Sequence, residues 1–247
     1  MSTKPHYRFC AAPPPPALGG VPAGYKARAA MLNAAFWGAG TTLRVGFLDG
    51  SVALRERVRD LAKLWLAQSG ANINFEFWTG AGVDPDGAEI RVAFGADTAS
   101  WSHVGKYAGA VAAEKPTMNL GWMTETLDEA EARAVVLHEF GHALGLIHEH
   151  LSPVHVIPWD RARVTADLQA RGWSIDDIDA NMFAVFPPDQ IFATDLDPHS
   201  IMMYEIPPEW THGQFTAPWN SSLTFKDKRL VREAYGARPG AAPLVEG

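Results

Sequence analysis

The chain has 247 residues, 47% of them hydrophobic and 20% charged, which is ample for a sizeable core and excludes disorder or a fibrous repeat. Its 21 basic and 28 acidic residues give a net charge of −7 with no run of like charge, so nucleic acid is excluded as an expected partner. No stretch approaches the ~20 apolar residues that cross a bilayer, and the opening MSTKPHYRFCAAPPPP lacks the apolar core of a secretory signal. The expectation is a protein without a membrane partner, cytoplasmic or exported by a non-standard route. A single cysteine, Cys10, excludes an intramolecular disulfide and a multi-thiolate metal site, so a metal here rests on His or carboxylate ligands.

Residues 1 to about 24 are rich in Pro, Ala and Gly, and Pro13 to Pro16 favour a polyproline II spacer. The segment 43–48 (LRVGFL) predicts a strand. Ser51 then caps a helix whose Leu54, Val58, Leu61 and Trp65 recur at helical spacing before Gly70 stops it. Two β-rich runs follow, 73–78 (INFEFW) and 89–94 (EIRVAF), parted by the turn signal Asp84-Pro85-Asp86-Gly87. That turn lacks the spacing of a calcium loop. A further strand is predicted over 117–123 (TMNLGWM).

From Leu127 the pattern turns helical, with Thr126 and Glu129 placed as a capping box and Ala134, Val135, Leu137, Ala143 and Leu144 forming the buried face. Ser174 with Asp177 opens another helix, striped by Ile175, Ile178, Met182 and Val185 and ended by Pro187-Pro188. A last helix spans about 226–235 and stops at Gly236. The long irregular stretch 187–224 between them, dense in Pro, Trp and Gly, is of the kind that frames a site.

The helix from Leu127 carries His138-Glu139-Phe140-Gly141-His142, which continues to Gly145 and His148 as HExxHxxGxxH. Positions i and i+4 share one helix face, so His138 and His142 present two imidazoles to one cation. Glu139 lies too far round the helix to be a comfortable ligand, yet near enough to hold a water at the metal. Gly145 can adopt the left-handed conformation that ends the helix, letting the chain swing back so that His148 completes the ligand set. Three nitrogens and a water make the open tetrahedral arrangement of catalytic zinc. The eleven-residue motif would arise by chance in roughly 1 in 20,000 sequences of this composition. The remaining histidines, His6, His103, His150, His155, His199 and His212, lack ligand spacing and are expected to be solvated or locally hydrogen-bonded.

Followed by Ser200-Ile201-Met202-Met203-Tyr204, this motif resembles the signature of the metzincin zinc peptidases. Within them the chain is most similar to the astacin-like branch of bacteria and fungi. Glu149 follows the third histidine as in that branch, Trp101-Ser102-His103-Val104-Gly105 resembles its WSYVG, and Ser200 to Tyr204 resembles its SVMHY. Phe36-Trp37-Gly38, Asp197-Pro198, Ile206 to Thr211 and Asp227 to Gly236 extend the likeness over about 36–236.

The resemblance implies an α+β metzincin-like zincin fold. An upper lobe holds a twisted mixed sheet and two long helices, a lower irregular lobe carries the C-terminal helix, and the substrate cleft runs between them. On it the chain divides into an N-terminal arm (1–36), an upper lobe (37–148), a lower lobe (149–236) and a tail (237–247). The resemblance implies one zinc per chain on His138, His142 and His148, Glu139 as general base and acid, Met202 as a hydrophobic floor under the metal, and Tyr204 as a hinged phenol beside it. The expected activity is that of a zinc endopeptidase acting on a peptide or protein as a monomer. Its extended substrate adds to an edge of the upper sheet, with residues 117–123 either lining that edge or forming an interior strand. A binding module with a silent zinc site and a zinc hydrolase of a non-peptide amide share the motif. The intact Glu139 and Tyr204 argue against the first.

Three departures stand out. Met203 replaces the histidine between Met and Tyr of the turn, the stapling cysteines of secreted relatives are absent with Ser100 at one such place, and Phe36-Trp37-Gly38-Ala39 lacks an inhibitory aspartate. Cys10, placed before the polyproline spacer, could reach back and cap the zinc as an inhibitory switch. Such a switch belongs to a different metzincin branch and its surrounding residues are missing here, so a plain exposed or packed thiol is the expectation.

Overall fold

A computed structural model describes residue 10 and residues 33–80, 87–95, 99–152, 156–184 and 195–246. The proline-rich spacer, His6, the acidic residues of the turn at 84–87, His155, Val185 and the Pro187-Pro188 stop lie outside the described residues.

The upper part of the molecule is a five-stranded mixed sheet in the order β2-β1-β3-β5-β4, formed by β1 (Thr42–Phe47), β2 (Asn74–Phe77), β3 (Ile90–Ala93), β4 (Trp101–Ser102) and β5 (Met118–Asn119). All pairings are parallel except that of β4 with β5. The strand expected over 117–123 is reduced to β5 and lies inside the sheet, between β3 and β4. The two edges of the sheet are therefore β2 and β4, and β4 is too short for its two residues to show any alternation in the sequence. Arg91, 5% exposed, fastens the loop leading into β5 by donating to the carbonyls of Ala88, Val111, Ala112 and Lys115. Those four acceptors offset the cost of burying its guanidinium.

Helix α1 (Val52–Ser69) begins at Ser51, whose hydroxyl accepts from the Leu54 amide, and ends at Gly70 in the left-handed conformation. Helix α2 (Glu129–Ala143) packs beside it. Its cap is Asp128, which accepts from the Ala130 and Glu131 amides, and not the expected Thr126–Glu129 box. A carboxylate one residue before the first helical position reaches those amides directly and also complements the helix dipole. Leu43, Val45 and Phe47 of β1, Val58 and Trp65 of α1, and Val135, Leu137 and Phe140 of α2 form one buried core, each large side chain contributing on the order of 2 kcal/mol.

The lower part contains α3 (Arg161–Gln169), which the sequence pattern did not reveal, and α4 (Ile175–Ile178), opened by the Ser174–Asp177 capping box and continued by a π turn, Asp179–Phe183. Ile178 and Met182 are buried as expected, but Ile175 is 57% exposed. Val164, Leu168, Ile178, Met182, Met203, Tyr204 and Trp210 make a second core. Helix α5 (Phe225–Tyr235) starts from the Thr224–Asp227 capping box, and its Leu230, Val231 and Tyr235 join the core of the sheet. Among the described residues no helix is long and apolar enough to cross a membrane.

Candidate metal centre

Helix α2 is held at several of its carbonyls. Trp65 Nε1 donates to Leu137 O (2.8 Å), Trp37 Nε1 to Ala143 O (2.9 Å) and Tyr235 Oη to Leu144 O (2.8 Å). The last two donors satisfy carbonyls that the helix end leaves open, while Trp65 adds a second donor to a carbonyl in the middle of α2. Gly145, at φ 95°, then reverses the chain. Leu146 N returns to Gly141 O at 3.0 Å, and His148 arrives opposite His142.

The tautomers follow from the partners. His138 Nδ1 lies 2.8 Å from Ile201 O, and His142 Nδ1 lies 2.9 Å from Leu146 O. A carbonyl only accepts, so each Nδ1 carries the proton and each Nε2 presents a lone pair. Those lone pairs face inward. His142 Nε2 sits 3.2 Å from His148 Nε2, and His138 Nε2 is buried without a hydrogen-bond partner. Tetrahedral zinc at ~2.0–2.1 Å from each nitrogen holds two such atoms about 3.3 Å apart, so the donor set fits that ion. Burial pushes His138 down to about 4 and His142 to about 3, which keeps both imidazoles in the neutral, ligating form.

Cys10 is the unexpected member. Its thiol, 3% exposed, belongs with His138, His142 and His148 to a group whose ligand atoms all lie within 4.8 Å of one another. Sγ also donates to Glu139 Oε2 at 3.3 Å, and the Tyr204 hydroxyl donates to the Cys10 carbonyl oxygen. The expectation of an ordinary thiol is thus corrected. Spacing reveals nothing about a partner 128 residues in sequence from His138, the nearest histidine of the group; the signals available were that Cys10 is the chain's sole thiol and precedes a proline-rich spacer. Burial, followed by the neighbouring Glu139, raises its pKa, and burial pushes Glu139 up to about 8. A divalent cation reverses that balance by stabilising the thiolate.

Glu139, 1% exposed, lines one cavity with Cys10, His138 and Tyr204. Tyr204 packs its ring 4.2 Å from the His148 ring and 4.7 Å from that of His150. His150 bonds to Asn181 O at 2.8 Å through Nε2 and stays outside the ligand group, a local role as expected. Met202 packs against α2 at Gly141, where an added Cβ would meet its sulfur. Met203, in the place of the usual histidine, is buried in the lower core. Glu149 ties the two segments together, its amide donating to Met202 O at 3.0 Å. Its carboxyl is pushed up to about 8 by burial and then by Asp227.

With Cys10 in place the cavity over the site, bordered by Trp122, Val135, Trp219 and Asn220, has a volume of about 30 Å³. That leaves room for a water or two beside the thiol.

Against solved structures, a structure of myroilysin is 34% identical to this chain over 85% of it and 99% of myroilysin, with a TM-score of 0.78. The chain belongs to the astacin-like metzincin zinc peptidases. A second myroilysin structure, a crystal structure, is again 34% identical to this astacin-like peptidase, covering 83% of it and 87% of its counterpart at a TM-score of 0.61. High choriolytic enzyme 1, a hatching-enzyme zinc-protease of the medaka fish Oryzias latipes, shares the fold at 15% identity and a TM-score of 0.52, over 83% of this chain and 96% of its own. No family model and no curated relative matches the chain. The enzyme is a zinc metalloendopeptidase, and its cofactor is Zn²⁺.

Proposed function

We propose that the form described is the latent state of this endopeptidase, with Cys10 as fourth zinc ligand beside His138, His142 and His148, and that withdrawal of Cys10 opens the site to a peptide. The observation that carries the reading is the convergence of one thiol and three imidazoles on one point, with Cys10 lining the same small cavity as Glu139 and Tyr204, where a substrate carbonyl would have to enter. A zinc ion held there supplies Lewis acidity and lowers the pKa of water toward neutrality.

The rest of the chemistry falls to the chain's own groups. Once the thiol leaves, Glu139 has lost its hydrogen-bond partner and its carboxylate accepts a proton from the attacking water. The water oxygen bonds to the scissile carbonyl carbon, the carbon–nitrogen bond breaks, and Glu139 returns the proton to the departing amine. Tyr204, freed from the Cys10 carbonyl, donates to the oxyanion that develops on the substrate. Its present partner is itself a peptide carbonyl oxygen, which supports that role. The substrate strand pairs with β4, the one of the two edge strands whose backbone lies nearer to α2. All these groups come from one chain, so the site needs no second copy to be complete.

The test is Cys10→Ser in the full chain, assayed on a peptide library read by mass spectrometry, with zinc measured on the same sample. The expected result is a severalfold or greater rise in cleavage at about one zinc per chain. Unchanged activity with zinc retained would refute the latent reading, and absence of zinc from carefully prepared wild type would refute the metal centre itself.

A further inference from the structure

We propose that Asp227, far from the ligands in sequence and on another helix, is a positioning residue for the zinc centre, acting on His138 through the turn that bears Met202. Asp227 is the third residue of α5 and 4% exposed. A carboxylate at that place in a capping box ordinarily closes its own helix and faces water. Here it does more. One oxygen, Oδ2, accepts from the amides of Thr224 (2.9 Å) and Ile201 (3.0 Å), while Oδ1 accepts from the Ser200 hydroxyl at 2.6 Å.

The Ser200 hydroxyl in turn accepts from the Met202 amide at 3.0 Å. That N–H belongs to the same peptide plane as the Ile201 carbonyl, which receives His138 Nδ1 at 2.8 Å. A continuous chain therefore runs from the Asp227 carboxylate through a hydroxyl and one peptide group to the imidazole. Each donor in such a chain polarises the next, so the negative end at Asp227 makes the Ile201 oxygen a better acceptor. The consequence at His138 is twofold. The proton is held on Nδ1, leaving Nε2 for the metal, and the ring is fixed in direction. Groups that orient a ligating histidine directly change metal affinity by about 10–100-fold; with one peptide interposed, the lower end of that range is expected.

This rests on His138 being a zinc ligand, so the experiment measures zinc on wild type first; if wild type binds none, that reading fails before the relay is tested. Full-length wild type, Asp227→Asn, Ser200→Ala, the double variant and Thr224→Ala are then compared by chelator competition and by the visible spectrum of the cobalt-substituted protein. Thr224→Ala is the structural control, since it removes the hydroxyl that accepts from the Asp227 amide at 3.2 Å and leaves the relay whole. Asp227→Asn and Ser200→Ala are each expected to weaken zinc binding by about tenfold and to shift the cobalt bands, the double variant being no worse than the weaker single one. Thr224→Ala is expected to lower the melting temperature with zinc affinity unchanged. Wild-type affinity and spectrum in Asp227→Asn, or a loss in Thr224→Ala equal to that in Asp227→Asn, would overturn the proposal. If Asp227→Asn does not fold, Ser200→Ala decides by the same two readouts.

Discussion

Gly141, between Glu139 and His142 on α2, allows Met202 to approach the helix, and the contact is testable by adding a single methyl group. In Gly141→Ala the new Cβ would stand 2.4 Å from Met202 Sδ, 3.3 Å from its Cε and 3.2 Å from Trp65 Cζ2. Ordinary contact is about 3.5–4.0 Å, so the sulfur must retreat by at least about 1 Å. It has little room. Met202 is 1% exposed, its amide and carbonyl are held by Ser200 and Glu149, and Trp65 is fixed by its bond to Leu137 O. Overpacking of this kind costs about 1–3 kcal/mol, offset by the ~1 kcal/mol by which alanine exceeds glycine as a helix former. The net expectation is a loss of about 1 kcal/mol, or roughly 2–4 °C in melting temperature for a chain of this size. In a Met202→Ala background, itself costing about 2–5 kcal/mol, the same methyl group enters a void, and Gly141→Ala should become stabilising by about 1 kcal/mol. Urea unfolding of the four proteins at one fixed zinc concentration measures the coupling, expected at about 2 kcal/mol. Equal effects of Gly141→Ala in both backgrounds would show that the Met202 contact does not constrain α2.

Other expectations concern the reacting groups and the lower core. In a Cys10→Ser background, Glu139→Gln should retain zinc and fold yet lose at least ~100-fold in peptide hydrolysis; near-normal turnover would place the base elsewhere. Tyr204→Phe should lower kcat by roughly 10- to 1,000-fold in that background with little change in KM, and in the native chain it should also loosen Cys10, seen as faster reaction of the thiol with a maleimide. No change in either would remove the hydroxyl from the site. Burial works against the Asp167 carboxylate, but the Arg163 side chain and Trp210 Nε1 bonded to it hold its pKa below its ordinary 3.8. A depressed carboxylate contributes stability above its unfolded pKa and loses it as pH falls through the folded one, so Asp167→Asn should flatten the loss of stability below about pH 4 by at most about 1 kcal/mol. Tryptophan fluorescence melts against pH would show this, and parallel curves for the two proteins would contradict it.

Local chemistry made much of this protein legible from residues alone. Ser51, Gly70, Ser174 with Asp177, and Gly236 mark helix ends because a cap depends only on residues within a few positions. The pair His138 and His142, and the turn at Gly145 that brings in His148, are likewise set by helix geometry over eleven residues. Short elements escaped this logic. Strands β4 and β5 have two residues each, too few for any periodicity, and their pairing, which makes β4 one of the two edges, arises only when the sheet assembles. The cap of α2 moved to Asp128 because several residues competed for the same amides. Cys10 and Asp227 lay furthest from reach. Nothing near Cys10 in the chain indicates a metal, and Asp227 reads as an ordinary helix cap. The place of Cys10 beside the histidines and that of Asp227 behind the turn bearing Met202 come from contacts spanning 129 residues for Cys10 with Glu139 and 27 for Asp227 with Ser200. Such contacts are decided by which surfaces the whole core brings together, and no window of the sequence contains both partners.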